Sequence, residues 1–390
     1  MMRMIVLSTC LVVTWSAAEA AEPAGKVLPE EARARAVAMI DKALSYLAAS
    51  QQADGSWQMM GHGEPAVTAL VAKCFIQSPK YGPRHAVVDK AVKFVMRFRH
   101  DDGGIYVEGA GLRNYQTSVA LMMLSSLPKG DPAVAKTIAG AQEFLKALQW
   151  DADQTDSEGE KVTEAHRFYG GAGYGKRQRP DLSNTQLMLE ALHQSGLPKD
   201  DPAYKKALVF IERCQMNSET NDQPFARGAD DGGFIYTPAA TDPKDPISKA
   251  GTVEVEGRSI PRSYGSMTYA GFKSLLHADV ARDDPRVQRA FDWIQTHYTL
   301  DSNPNMPGAQ SQQGLFYYYH TFAKALEAWG QPTITDKKGR THRWRVDLID
   351  ALRKRQSPDG SWVNMADRWY EGHPPLVTAY AVLALQAALR

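Results

Sequence analysis

The sequence predicts an all-α chain, a closed (α/α)6 toroid of six helix-hairpin repeats whose twelve helices form inner and outer rings. Three features carry this prediction: an amphipathic window that recurs six times, a glycine-bearing turn after each window, and well-formed repeats at both ends of the array. In the first windows, Lys42-Ala43-x-x-Tyr46-Leu47-x-x-x-Gln51 matches Lys206-Ala207-x-x-Phe210-Ile211-x-x-x-Gln215 position for position. Ala141-x-x-Phe144-Leu145-x-x-x-Gln149 keeps the spacing. Arg289-Ala290-x-x-Trp293-Ile294 ends on Tyr298, Lys90-Ala91-x-x-Phe94-Val95 ends on Arg99, and Leu352-x-x-x-Gln356 lacks the aromatic. Small, aromatic and aliphatic residues at i, i+3 and i+4 share one helical face, so each window reads as an amphipathic helix.

Each window runs into a turn with an aromatic close behind. These are Asp54-Gly55-Ser56-Trp57, Asp102-Gly103-Gly104-Ile105-Tyr106, Gly170-Gly171-Ala172-Gly173-Tyr174, Asp231-Gly232-Gly233-Phe234, Gly314-Leu315-Phe316 and Asp359-Gly360-Ser361-Trp362. Glycine accepts the positive φ that ends a helix, and Asp-Gly is a strong turn signal. A second apolar helix then follows, each with one threonine in a similar place: Thr68, Thr117, Thr185, Thr268, Thr321 and Thr378. These second helices are richer in Ala, Leu and Met, which assigns them to the inner ring. A linear solenoid needs polar capping repeats. Neither end has one, so closure is favoured over the alternative of an open solenoid. The insertions at about 150–168 and 217–262 are rich in Asp, Gly, Pro and Ser and are expected as rim loops.

Residues 1–20 read as a signal peptide, with Arg3 ahead of an apolar run from Met4 to Trp15 and a small-residue cleavage site at Ala18-Glu19-Ala20. Residues 21–34 are expected as a linker and 35–390 as the toroid, in an exported (periplasmic or secreted) chain. No later apolar stretch is long enough for a membrane span. Formal net charge is +1, with no long like-charge run, which argues against nucleic acid as a partner. Cys74 and Cys214 fall in different repeats and read as small buried hydrophobes rather than a disulfide.

Gln51-x-x-x-Gly55-x-Trp57 and Gln356-x-x-x-Gly360-x-Trp362 resemble the QW repeat of squalene and oxidosqualene cyclases, whose toroid the prenyltransferase β-subunits share. The resemblance covers roughly residues 35–390. It implies the fold; it does not by itself imply activity, because the repeat is scaffold. Cyclases that start by protonation carry Asp-x-Asp-Asp-Thr. The matching stretch here is Asp181-Leu182-Ser183-Asn184-Thr185, where a hydroxyl and an amide replace two acids. Asp181 or Ser183 can equally cap the following helix. Prenyltransferases hold zinc with Asp, Cys and His. His320-Thr321 resembles the histidine segment, but Arg262-Ser263-Tyr264-Gly265-Ser266 lacks the other two ligands, so no metal and no cofactor are expected.

The run Phe316-Tyr317-Tyr318-Tyr319-His320 suggests an aromatic-lined lumen, because π-faces stabilise cations. Three consecutive tyrosines cannot all face one way. Candidate catalytic residues are Asp181, Tyr318 and His320. Candidate substrate-binding residues are Tyr115, Gln116, Asn184, Tyr264, Tyr269, Tyr317, Tyr319 and Trp369. The implied function is binding or processing of an isoprenoid or other lipid in that lumen, with a small lipophilic ligand and peripheral membrane contact as the partners and no obligate protein partner identifiable. The alternatives are a non-catalytic lipid-binding or scaffold toroid of the cell envelope, and a polysaccharide-active toroid, for which paired lumen carboxylates would be required.

Overall fold

The computed structural model describes residues 28–390 except 157 and 241–245. The expected signal peptide therefore lies outside the described residues. Twelve α-helices alternate in chain order: α1 (Glu30–Ala49) and α2 (Pro65–Ile76), α3 (Ala86–Met96) and α4 (Arg113–Leu124), α5 (Pro132–Ala147) and α6 (Leu182–Gln194), α7 (Pro202–Arg213) and α8 (Gly265–His277), α9 (Pro285–Thr296) and α10 (Leu315–Trp329), α11 (Trp344–Arg353) and α12 (Pro374–Leu389). Helix α1 begins at Glu30, inside the segment 21–34 expected as a linker, because Ala32 and Ala36 already pack into the core. Each even-numbered helix packs on the next, and α12 packs back on α2. Every residue of α2 is buried, whereas α3 buries one face only. The even helices are thus the inner ring and the odd ones the outer ring, and the toroid is closed. No helix among the described residues is long and apolar enough to cross a membrane.

The recurring motif is the adhesive between repeats. Gln51 Nε2 donates to Gly55 O at 3.0 Å in its own turn and to Val87 O at 2.9 Å at the start of the next outer helix. Gln149 spans Gly170 O and Ala203 O in the same way, and Gln215 spans Gly232 O and Arg286 O. Gln356 donates to Gly360 O and to Met39 O, both at 3.0 Å, which stitches the last repeat to the first. Where the glutamine is replaced, Arg99 reaches Thr137 and Tyr298 donates to Asp347 at 2.8 Å, so the neighbour is still engaged. The turn glycines fit closely for the same reason. Gly170 (φ 79°) and Gly360 (φ 97°) occupy the left-handed region, and a Cβ on either would run into the carbonyl of Lys206 or Lys42 on the next outer helix.

Five of the six repeated threonines accept a backbone N–H from the turn: Thr68 from Trp57, Thr117 from Ile105, Thr185 from Ala172, Thr268 from Phe234 and Thr378 from Trp362. The fifth repeat departs from the expected pattern. Gly314 is the N-cap of α10 itself and Phe316 lies inside that helix, so Thr321 bonds back to Tyr317 O instead. The rim insertions are not wholly irregular either. Residues 217–262 hold an antiparallel hairpin of β3 (Thr252–Val255) and β4 (Arg258–Pro261), and two-residue strands pair as β1 (Gln58–Met59) with β2 (His62–Gly63) and β5 (Ile334–Thr335) with β6 (Thr341–His342). Cys74 and Cys214 are buried and not joined in a disulfide.

Candidate functional site

The starts of the inner helices converge on one mouth of the lumen, and a cavity opens there. It offers about 190 Å³ to the centres of water molecules, space for on the order of a dozen waters. Its wall is built from tyrosines supplied by different repeats: Tyr115 from α4, Tyr317 from α10, Tyr380 from α12, and Tyr264 at the N-cap of α8. Two more come from loops. Tyr174 is held where Asn114 N–H bonds its carbonyl at 2.8 Å, and Tyr236 where Leu182 N–H bonds its carbonyl at 2.7 Å. Leu70, Val119, Met122, Leu187, Met267 and Leu376 complete an apolar surface. Burial raises the phenols of Tyr115, Tyr236 and Tyr317, and takes Tyr174 to about 12, so these hydroxyls stay neutral.

The expected site residues divide. Tyr115, Asn184, Tyr264, Tyr317, His320 and Trp369 line the cavity. Tyr317 Oη accepts from Gln186 Nε2 at 3.0 Å, and its ring packs edge-on against Tyr380. His320 stacks on Tyr380 at 5.5 Å, and burial pulls its pKa down to about 3, which leaves a neutral imidazole. Tyr318 and Tyr319 point away from the lumen. Their hydroxyls donate to Thr299 O at 2.7 Å and Leu300 O at 2.6 Å. Each helical residue turns about 100° from the last, so residues 317 and 320 share the lumen face and 318 and 319 do not. Tyr269 is likewise outside the cavity wall, packed against Tyr318 and Phe322. Gln116 is spent structurally, accepting from Val107 N at 2.9 Å and donating to Glu64 at 2.7 Å.

Asp181 lies behind the wall as the N-cap of α6. One carboxyl oxygen accepts from Ser183 Oγ at 2.6 Å and Asn184 N at 2.9 Å, and the other from Asn184 Nδ2 at 2.8 Å. Burial raises its pKa while these donors oppose the shift. Its oxygens face donors, an arrangement that suits a cap and leaves the cavity to Ser183 and Asn184.

The sequence reading missed Tyr174, Tyr236, Tyr380 and Glu371, all in the cavity wall. Tyr174 was visible only as a turn aromatic, and Glu371 belongs to a rim loop with no periodicity to mark it. Glu371 Oε1 accepts from Tyr317 N–H at 2.7 Å and Oε2 from Asn364 Nδ2 at 2.6 Å. Burial nevertheless pushes its pKa up to about 7. It is the one carboxyl among the described residues of the tyrosine-lined wall, so the cavity can give or take a proton but does not offer the facing pair that glycoside hydrolysis uses. The two residues before it, Trp369 (φ 56°) and Tyr370 (φ 64°), are both in the left-handed region. This placement is costly for aromatics and is found at functional sites more than elsewhere. A Cβ on Gly314 would stand 3.0 Å from the Trp369 ring, so glycine there lets the indole lie across the mouth.

A separate group of potential metal ligands, Asp156, Glu160 and His166, occurs in the 150–168 insertion. His166 Nδ1 accepts from Phe168 N–H and Nε2 faces Asp156, so both ring nitrogens are already used by a loop-closing turn.

No protein-family model and no curated protein matches this chain. Solved structures do. A variant of the type II terpene cyclase MstE from Scytonema, in complex with geranylgeranyl dihydroxybenzoate, superposes with a TM-score of 0.55 at 14% identity, over 93% of this chain and 99% of that one. A protein from Actinoplanes gives 0.52 at 17% identity, over 91% and 100%. The GH76A α-1,6-mannanase from Salegentibacter gives 0.55 at 8% identity, also over 91% and 100%. The chain thus has the terpenoid-cyclase-like α/α toroid fold, which polysaccharide-active enzymes also use.

Proposed function

We propose that this toroid binds an isoprenoid or other lipid in its lumen. The observation that carries the reading is the cavity wall itself, in which tyrosines from four inner helices and two loops surround aliphatic side chains with, among the described residues, no charged group but Lys249 and Glu371. Such a surface takes up an apolar chain and can hydrogen-bond a polar end. The MstE complex, with a geranylgeranyl group in the same fold, supports this class of ligand. Any proton transfer in this cavity falls to Glu371, which faces it, rather than to Asp181, which caps a helix behind it. Exposed Met60, Met365, Trp369 and Tyr370 lie on the two loops that give Met59 and Trp369 to the wall. They favour contact with a membrane surface beside the mouth, and the N-terminal segment 1–20 favours an exported chain.

Organic extraction of the purified full chain, followed by mass spectrometry, is expected to recover a lipid near one equivalent. Geranylgeraniol added to stripped protein is expected to quench tryptophan fluorescence saturably, with Tyr317→Ala weakening it at least fivefold. Recovery of no lipid together with no saturable quenching would overturn the reading.

A further inference from the structure

Beyond the tyrosine-lined cavity the lumen continues toward the C-terminal ends of the inner helices, into a second and smaller space. Leu70, Val119, Met122 and His320 belong to the walls of both. The second space offers about 20 Å³ to water centres, room for about one or two waters. Its polar wall carries Lys73, Lys324 and Arg390 beside the carboxylate of Glu190, with Lys273 outside that wall. Lys273 Nζ pairs with Glu190, and Lys324 Nζ stands 3.8 Å from Glu190 and 3.1 Å from Glu327. Arg390 also pairs with Glu327, at 3.0 Å from Oε2.

Lys73 is the exception among these cations. It is 7% exposed, lines the second space, and donates to the amide oxygen of Gln194. Among the described residues no carboxylate lies within 4.0 Å of its ammonium. Helix C-termini attract cations, but an exposed lysine satisfies that attraction at little cost. Burying an ammonium without a counter-ion is among the most unfavourable placements a side chain can take. Burial and the neighbouring Lys324 pull its pKa down to about 7, a shift that the more distant Glu190 opposes only in part. His277 and His320 are both held near 3 by burial, so as neutral rings they add no further positive charge.

We propose that this second space is an oxyanion site, in which Lys73 and Lys324 bind a phosphate-type group. That group can arrive as free phosphate or as the headgroup of a lipid whose tail fills the tyrosine-lined cavity. Only the tail depends on the lipid reading above; the oxyanion site stands on its own residues.

Calorimetric titration of the full chain at pH 6.5 tests this with three probes: inorganic phosphate, geranylgeranyl monophosphate and geranylgeraniol. Phosphate is expected to bind, and Lys73→Met and Lys324→Gln each to weaken it at least tenfold while circular dichroism shows the fold retained. If the source is a headgroup, the phosphorylated lipid binds at least tenfold tighter than the alcohol, and both variants erase the difference. If the source is the free ion, phosphate binding depends on the lysines and the two lipids bind alike. Equal binding of every phosphate-bearing probe to wild type and variants overturns the oxyanion site. Loss of alcohol binding alone overturns the lipid reading and leaves the oxyanion site standing. Should Lys73→Met fail to fold, the partly exposed Lys324→Gln decides.

Discussion

The two ends of the lumen are built by the same six helices and differ in kind. At the inner-helix N-termini the wall carries little charge: phenols kept protonated by burial, one amide pair, a single carboxyl raised to about 7, and Lys249 over the Tyr236 ring. At the C-terminal ends, Lys73, Lys273 and Lys324 gather around Glu190, which is 1% exposed. Glu190 is held well below the usual carboxylate range: burial pushes it up, and Lys273 and Lys324 outweigh that. Helix dipoles alone would place anions at the first end and cations at the second. The second end follows that rule; the first departs from it, with mostly uncharged polar groups. A ring of tyrosines suits an apolar guest, whereas a net-positive chamber suits an anion.

Removing the anion from the charged end should have the largest effect. Glu190→Gln leaves two buried lysines and the partly exposed Lys324 around an amide, and breaking a buried pair from one side costs about 3–5 kcal/mol. Urea unfolding measures it, and a loss below about 1 kcal/mol would mean that the lysines are already neutral and the contrast between the ends is overstated.

At the neutral end, Glu371→Gln places an NH2 against one of two donors, Tyr317 N–H or Asn364 Nδ2. A mispaired buried group costs about 1–3 kcal/mol. The same variant reports on charge. With Glu371 raised to about 7, the folded chain holds a proton that the unfolded chain releases from about pH 4.5 upward. This group's contribution to stability is therefore full at low pH and is lost as pH rises through 7. The slope between pH 5 and 7 is expected to flatten in the variant, as read by thermal melts across that range.

The smallest effect has the opposite sign. Lys73→Met exchanges an uncompensated buried ammonium for an apolar chain of similar length, and in the absence of anion should raise stability by about 1 kcal/mol at pH 7. The folded-state pKa of Lys73 is depressed from 10.5 to about 7, so between those values the unfolded chain binds the extra proton and wild-type stability rises with pH. Glu190, Lys324, Arg390, Cys74 and His320 are titratable groups around this amine. Melts from pH 7 to 9.5, below the range where the tyrosines ionise, should show that rise in wild type and a shallower one in the variant.

Much of the architecture was legible before any coordinates. The Gln, Gly and Thr positions recur because each plays the same part in most repeats: Gln bonds the next outer helix, Gly packs against it, and Thr receives the turn N–H. The fifth repeat misled for a local reason: Gly314 looks like the turn glycines but caps the inner helix directly. The site was less legible. Tyr317 could be separated from Tyr318 and Tyr319 only by helix phase, and Glu371 is aimed by the strained Trp369–Tyr370 step. Lys73, Lys273 and Lys324 are unremarkable residues of three separate helices, and Lys273 and Glu190 are 83 positions apart.

The sequence by itself therefore determined the repeat, the inner and outer assignment and the closure of the ring, because those depend on periodicity and on short-range turn chemistry repeated six times. The tertiary structure alone decided what faces the lumen. That choice depends on the rotation of each inner helix about its own axis and on rim loops with no period, and it brought together neutral phenols at one end and a cluster of ion pairs with an excess of cations at the other.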